Sequence, residues 1–229
     1  MRIAYMQRTS LIDYPGKISA IVFTQGCNFR CPYCHNPELV DPKLLTEPMK
    51  MDEVFDFFER RRGKLDACVI TGGEPCLQKD LAQFMKGIKK KGFLVKLDTN
   101  GSKPDVVKTC LDQGLVDYIA MDIKAPLGKY NQVAGVDVDT KAIERSIELI
   151  MASAPNYEFR TTVVKSLLTE DDIIEIGTII RGARLYIIQK FVASKTLDDD
   201  YLTKETYSDE DLDRIKLRLT RTVKNCIVR

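Results

Sequence analysis

Short apolar runs alternate with helix-periodic segments along most of this chain, and that alternation restricts it to α/β architectures built on a parallel sheet. Residues 17–24 (KISAIVFT) form a run rich in β-branched side chains. Residues 67–71 (ACVIT), 93–97 (FLVKL), 117–123 (DYIAMDI), 157–164 (YEFRTTVV) and 185–189 (LYIIQ) are five further predicted strands. Between them, Met51, Val54, Phe55 and Phe58 recur at the i, i+3, i+4, i+7 spacing of one helix face, and Leu81, Phe84, Met85 and Ile88 repeat it. Pro104 opens a helix to about Gln113, Ile143, Ile147, Ile150 and Met151 mark another, and Thr169 caps one running through Ile180. Ser208 heads a last helix with Leu212, Ile215, Leu219 and Val223 on one side, and Cys226 continues that face. Right-handed crossovers allow six such strands to curl into a barrel or to lie in an open doubly wound sheet.

The 229 residues suit one domain, with a core over about 17–191 and a C-terminal loop and helix over 192–229. Residues 192–207 read as an exposed, solvated loop. Lys plus Arg number 35 against 33 Asp plus Glu, so no electrostatic case for nucleic acid or an anionic membrane arises. No apolar run has the length of a membrane span and the N-terminal residues lack a signal-peptide core, so a cytoplasmic protein is expected.

Parallel α/β folds bind ligands at the carboxyl ends of their strands. Cys27 follows the first predicted strand, Gly72 the second, and Asp98 and Asp122 end the third and fourth. Three of the seven cysteines, Cys27, Cys31 and Cys34, stand at C-x3-C-x2-C spacing within Gly26-Cys27-Asn28-Phe29-Arg30-Cys31-Pro32-Tyr33-Cys34-His35-Asn36-Pro37. Three thiolates so spaced can hold a [4Fe–4S] cube on one side and leave its remaining iron open. A Cys3His zinc site through His35 is the alternative, although His35 abuts Cys34 where zinc ligands are normally spaced further apart. Three metal-free structural cysteines would be easily oxidised in one loop. Cys68, Cys76, Cys110 and Cys226 have no cluster spacing and read as small buried hydrophobes.

The C-x3-C-x2-C motif with Tyr33 before its last cysteine resembles the signature of the radical S-adenosylmethionine superfamily. The longer Cys34-His35-Asn36-Pro37-Glu38 run, with Thr9-Ser10-Leu11-Ile12-Asp13-Tyr14-Pro15-Gly16-Lys17 upstream, is similar to the glycyl-radical-enzyme activases, above all those of anaerobic ribonucleoside-triphosphate reductase. The likeness covers roughly residues 1–191. Only 37 residues separate Cys34 from Gly72, so the ferredoxin-like insertion of the longer activases does not fit.

The resemblance implies a partial (β/α)6 barrel holding a [4Fe–4S] cluster on Cys27, Cys31 and Cys34, with S-adenosylmethionine on its open iron. It implies cofactor contacts from Tyr33, Gly72, Gly73, Glu74, Asp98, Asn100, Lys124 and Arg160, with Glu74 on the methionyl ammonium. It also implies a monovalent cation at Asp98, Thr99 and Asp122. A strand-to-helix turn remains the plainer reading of Gly72-Gly73-Glu74, and an outward strand arginine that of Arg160. A late-strand histidine common in activases is absent, and Gln189 is the candidate replacement.

The implied activity is reductive cleavage of S-adenosylmethionine to a 5′-deoxyadenosyl radical, which takes a hydrogen from a glycine of a partner. That partner would be anaerobic ribonucleotide reductase, with a low-potential electron donor such as flavodoxin or ferredoxin. No Arg-Val-x-Gly-Tyr-like loop occurs in this sequence, so the acceptor is expected on another protein. The rivals are a radical enzyme acting on a small molecule or on another glycyl radical enzyme, and an iron–sulfur or zinc module without chemistry.

Overall fold

The computed structural model describes residues 1–229. One sheet of eight strands runs β1 (Ile3–Ser10), β2 (Ser19–Thr24), β3 (Ala67–Gly72), β4 (Leu94–Thr99), β5 (Tyr118–Asp122), β6 (Tyr157–Val163), β7 (Tyr186–Lys190) and β8 (Cys226–Val228), in chain order. β1 is antiparallel to β2, and every other neighbouring pair is parallel. β1 and β8 are edges, so the sheet does not close. Its curvature shows in a shared cavity: Ile12 and Asp13, just past β1, line the same space as Arg229, just past β8. The sheet is therefore a partial barrel with an open seam, as the resemblance implies.

The two faces of the sheet have different chemistry, because successive strand residues point to opposite sides. The outward side chains of β2 to β7, among them Val22, Ile70, Leu97, Met121, Phe159 and Ile188, join a single 53-residue apolar core. Six long helices contribute to it, α2 (Met51–Arg60), α3 (Leu81–Lys90), α4 (Pro104–Asp112), α6 (Thr140–Ser153), α7 (Glu170–Ile179) and α8 (Asp209–Leu219), together with Tyr130, Val133 and Ala134 of a short helix. Two shorter helices, α1 (Pro37–Val40) and α5 (Tyr130–Ala134), lie in loops at the carboxyl ends of the strands. Inside the barrel a small apolar floor of Tyr14, Ile21, Ala67, Val69 and Tyr118 fills the lower end. Above it the inner wall is charged, carrying Lys96, Asp98, Asp122, Glu158 and Arg160.

The six predicted strands and the helices between them form where their periodicity places them. The Thr169 cap is a capping box: its hydroxyl accepts from the Asp172 backbone, and Asp172 accepts from the Thr169 backbone at 2.7 Å. Three features differ from expectation. β1 was not foreseen, because only Ile3 and Ser10 of that edge strand are buried and no alternation marks it.

The last helix stops at Leu219, and Cys226 begins β8 instead of continuing the helix face. The unpaired edge of β7 captures the chain there: the Tyr186 N–H donates to the Asn225 carbonyl, and the Lys190 N–H to that of Arg229. Residues 192–207 are also more than a solvated link. Asp198 donates its N–H to the Pro32 carbonyl at 3.0 Å, and the buried Tyr207 hydroxyl donates to the Leu168 carbonyl at 2.7 Å.

Candidate active site

The cysteine loop leaves the carboxyl end of β2 and is folded back by short internal bonds. The Phe29 N–H points at the Cys27 sulfur (3.3 Å), and the Cys34 N–H donates to the Cys31 carbonyl (3.0 Å). The Arg30 guanidinium ties the carbonyls of Cys27 and Phe29 at 2.7 and 2.8 Å. All three thiols line one cavity of about 240 Å³ at the carboxyl ends of the strands. Tyr33, Gly72, Gly73, Glu74, Asp98, Thr99, Asn100, Asp122, Lys124 and Arg160 line the same cavity. Every candidate cofactor or metal residue is thus brought to one place, and Gln189 is there too.

The next loop packs directly on the cysteine loop. The Gly73 N–H donates to the Thr24 carbonyl and the Glu74 N–H to the Gly26 carbonyl, both at 2.8 Å. Gly72 has φ +114°, a region that side chains with a Cβ rarely adopt. Glu74 is 1% exposed. Its carboxylate accepts from Cys76 N–H (2.9 Å), the Thr99 hydroxyl (2.8 Å) and Asn100 N–H (2.7 Å). Burial raises the Glu74 pKa, and these donors act against that rise. A carboxylate has about four acceptor positions, so one is left for a ligand ammonium. The first task of Glu74 is to tie the ends of β3 and β4 together.

Asn100 carries that tie to the cluster loop. Its amide nitrogen donates to Asn28 Oδ1 at 3.0 Å and lies 3.9 Å from the Cys27 sulfur, while the Asn28 amide donates to the Ser102 hydroxyl at 2.9 Å. Asn28 and Ser102 were missed in the sequence. Asn28 was visible only as an unremarked position between two cysteines, and nothing local marks Ser102.

Burial pushes the Cys27 thiol up to about 12 and raises those of Cys31 and Cys34. Lys124 opposes this at all three. Burial disfavours the Lys124 charge, but Asp122 and the nearby Tyr33 and Cys31 outweigh it and hold its pKa well above the usual lysine value. A thiol trio in this setting is held neutral until a strongly charged metal centre displaces its protons. The Tyr33 hydroxyl is buried at the cavity with no hydrogen-bond partner in the chain, which leaves it free to bond a ligand held there. His35 lines the cavity too, but its Nε2 is engaged 2.8 Å from the Val192 carbonyl, and its ring packs on Phe191. These residues fit a three-cysteine cluster better than a Cys3His zinc site.

The sequence profile described as the Radical SAM superfamily matches residues 21–178. This chain belongs to the radical SAM superfamily. Its cofactors are accordingly a [4Fe–4S] cluster and S-adenosylmethionine. A Methanocaldococcus jannaschii protein named as a glycyl-radical enzyme activating enzyme is 34% identical to this radical SAM chain over 228 residues, covering 96% of the chain and 92% of that protein. The pyruvate formate-lyase-activating enzyme of Clostridium pasteurianum is 33% identical over 130 residues, 54% of the chain and 52% of that enzyme. Among solved structures, Streptococcus suis SuiB bound to S-adenosylmethionine superposes with TM-score 0.66 and 14% identity, over 89% of the chain and 48% of SuiB. TYW1 with a lysine-pyruvate adduct bound gives TM-score 0.64 and 15% identity, over 89% of the chain and 73% of TYW1. At these identities the structural likeness is one of fold.

Proposed function

We propose that this radical SAM protein is an activase that installs a glycyl radical on a partner enzyme, anaerobic ribonucleotide reductase. The observation that carries the reading is the wall shared by two cavities. Arg160 and Gln189 line both the cofactor cavity and a second one that opens at the barrel seam beside Ile12, Asp13 and Arg229. A loop of another protein inserted through the seam would bring its backbone up to the cofactor. The chain-long likeness to a named activating enzyme of M. jannaschii supports the activase reading. The likeness to pyruvate formate-lyase-activating enzymes favours a second reading, in which the partner is a different glycyl radical enzyme.

When bound, the cluster and S-adenosylmethionine supply a one-electron cleavage that yields methionine and a 5′-deoxyadenosyl radical. The chain's own part is to bind, aim and exclude water. Cys27, Cys31 and Cys34 are the protein ligands of the cluster. Tyr33, Gly72, Gly73, Glu74, Asp98, Asn100, Lys124 and Arg160 surround the cofactor, with Gln189 in place of the late-strand histidine. The eight-stranded sheet supports reading residues 1–229 as one domain whose core extends past 17–191. No helix is long and apolar enough to cross a membrane, and an iron–sulfur cluster reduced by a flavodoxin- or ferredoxin-type donor suits a reducing cytoplasm.

The test is electron paramagnetic resonance on the reduced protein with S-adenosylmethionine and a candidate reductase. A glycine-centred doublet is expected on the reductase, and it should vanish when the acceptor glycine is changed to Ala. Cofactor cleavage with no doublet, together with stoichiometric loss of a small metabolite, would reject the activase reading.

A further inference from the structure

Asp98 and Asp122 end the adjacent strands β4 and β5 and face the cofactor cavity. Each of their four carboxylate oxygens already has a cationic donor from this chain. Lys96 Nζ donates to Asp98 Oδ1 at 2.8 Å, and Arg160 Nη1 to Asp98 Oδ2 at 3.1 Å. Arg160 Nε donates to Asp122 Oδ1 at 2.8 Å, and Lys124 Nζ to Asp122 Oδ2 at 3.1 Å. The guanidinium therefore sits between the two carboxylates in a Lys96–Asp98–Arg160–Asp122–Lys124 ladder. Strand register puts it there, since Arg160 on β6 is the direct partner of Asp122 on β5.

Glu158, 1% exposed, lies 3.9 Å from Arg160 and accepts from the Tyr118 hydroxyl at 2.8 Å. Three cations thus face three carboxylates, and the wall is neutral with no added ion. The third residue implied for a cation, Thr99, is also committed: its hydroxyl donates to Glu74 at 2.8 Å and accepts from Gly101 N–H at 3.1 Å.

The residues present do not fit a monovalent cation at Asp98, Thr99 and Asp122. We propose that Arg160, clamped between Asp98 and Asp122, is the built-in cation of this site, and that the chain binds S-adenosylmethionine without a monovalent metal ion. A guanidinium suits the task better than an exchangeable ion. It is always charged, its fork engages two carboxylates at once, and it cannot dissociate. Both aspartates are then held in place before the cofactor arrives, and Arg160 acts as a positioning residue through them.

The experiment compares sodium, potassium and tetramethylammonium salts at equal ionic strength. S-adenosylmethionine affinity is measured by calorimetry on the anaerobically reconstituted protein, and Tm on the cluster-free protein. For the unaltered chain, affinity is expected to agree within about twofold across the three salts, and Tm to be the same. Arg160→Gln should bind about tenfold more weakly in tetramethylammonium, the loss of a charge-assisted contact, and recover affinity and Tm in sodium or potassium. Arg160→Lys, which keeps the charge but not the fork, should fall between. A tenfold loss of affinity in the unaltered chain when sodium and potassium are withdrawn overturns the proposal. So does an Arg160→Gln loss equal in all three salts. If Arg160→Gln does not fold, the unaltered chain and Arg160→Lys decide the matter alone.

Discussion

Gly73 lies so close to Gly26 that a Cβ added to it would stand 2.1 Å from the Gly26 carbonyl oxygen. The same is true one residue earlier, where a Cβ on Gly72 would stand 2.4 Å from the Thr24 nitrogen. The resemblance makes this glycine pair a cofactor contact. The structure gives a nearer reason: the loop after β3 is zipped onto the cluster loop by two backbone hydrogen bonds, with no room for a side chain between them.

Gly73→Ala should therefore push the two loops apart. Overpacking of this kind costs about 1–3 kcal/mol. The expected outcome is a lower Tm together with less iron and sulfide bound after reconstitution. Full iron content with an unshifted Tm would show that the loops can separate without disturbing the cysteines.

Glu74→Gln tests the tie between β3 and β4. The new amide would set a donor against one of the N–H groups that Glu74 now accepts. We expect a stability loss of about 1–3 kcal/mol and S-adenosylmethionine affinity about ten- to a hundredfold weaker. Calorimetry and thermal unfolding on the same preparation separate the two effects. Weakened affinity at unchanged Tm would assign the carboxylate to the cofactor ammonium alone.

Acid stability follows from the ladder. Burial alone would raise the Asp98 and Asp122 pKa values, but Arg160, with Lys96 at Asp98 and Lys124 at Asp122, outweighs it and holds both below the ordinary 3.8. Depressed carboxylate values stabilise the fold above the unfolded-state pKa, and that contribution is lost as pH falls through the native values. Stability from this source should be full above about pH 4 and decline below it. Arg160→Gln should move the acid-unfolding midpoint upward, as followed by circular dichroism. An unmoved midpoint would mean the ladder contributes nothing net.

The cluster thiols should behave as neutral groups before the metal is loaded. With Cys27 pushed up to about 12 by burial, the cluster-free protein should alkylate slowly at neutral pH, and cluster assembly should release about three protons. Proton release in weakly buffered solution measures this. Replacing Cys27, Cys31 or Cys34 by Ala should abolish bound iron and sulfide, whereas Cys68→Ala and Cys226→Ala should retain them. Rapid alkylation of all three thiols at pH 7 would contradict the burial argument.

The sequence by itself determined the parallel sheet, because strand and helix periodicities alternate through residues 17–191 and short-range patterning dictates local structure. It also singled out the candidate cluster ligands, since C-x3-C-x2-C is a spacing within one loop. What it could not show depends on atoms far apart in the chain. β1 and β8 are strands because they meet the edges of a sheet already formed, so Cys226 left the helix face its spacing suggests. Glu74 reads as a ligand contact until Thr99 and Asn100, 25 and 26 residues later, fill most of its acceptor positions. Arg160 reads as a cofactor contact or an outward strand arginine until strand register sets it against Asp122 and, across the interior, Asp98, which is 62 residues earlier. Charge pairing inside the barrel is decided by which strands lie side by side and which face each residue takes, and only the tertiary structure fixes both.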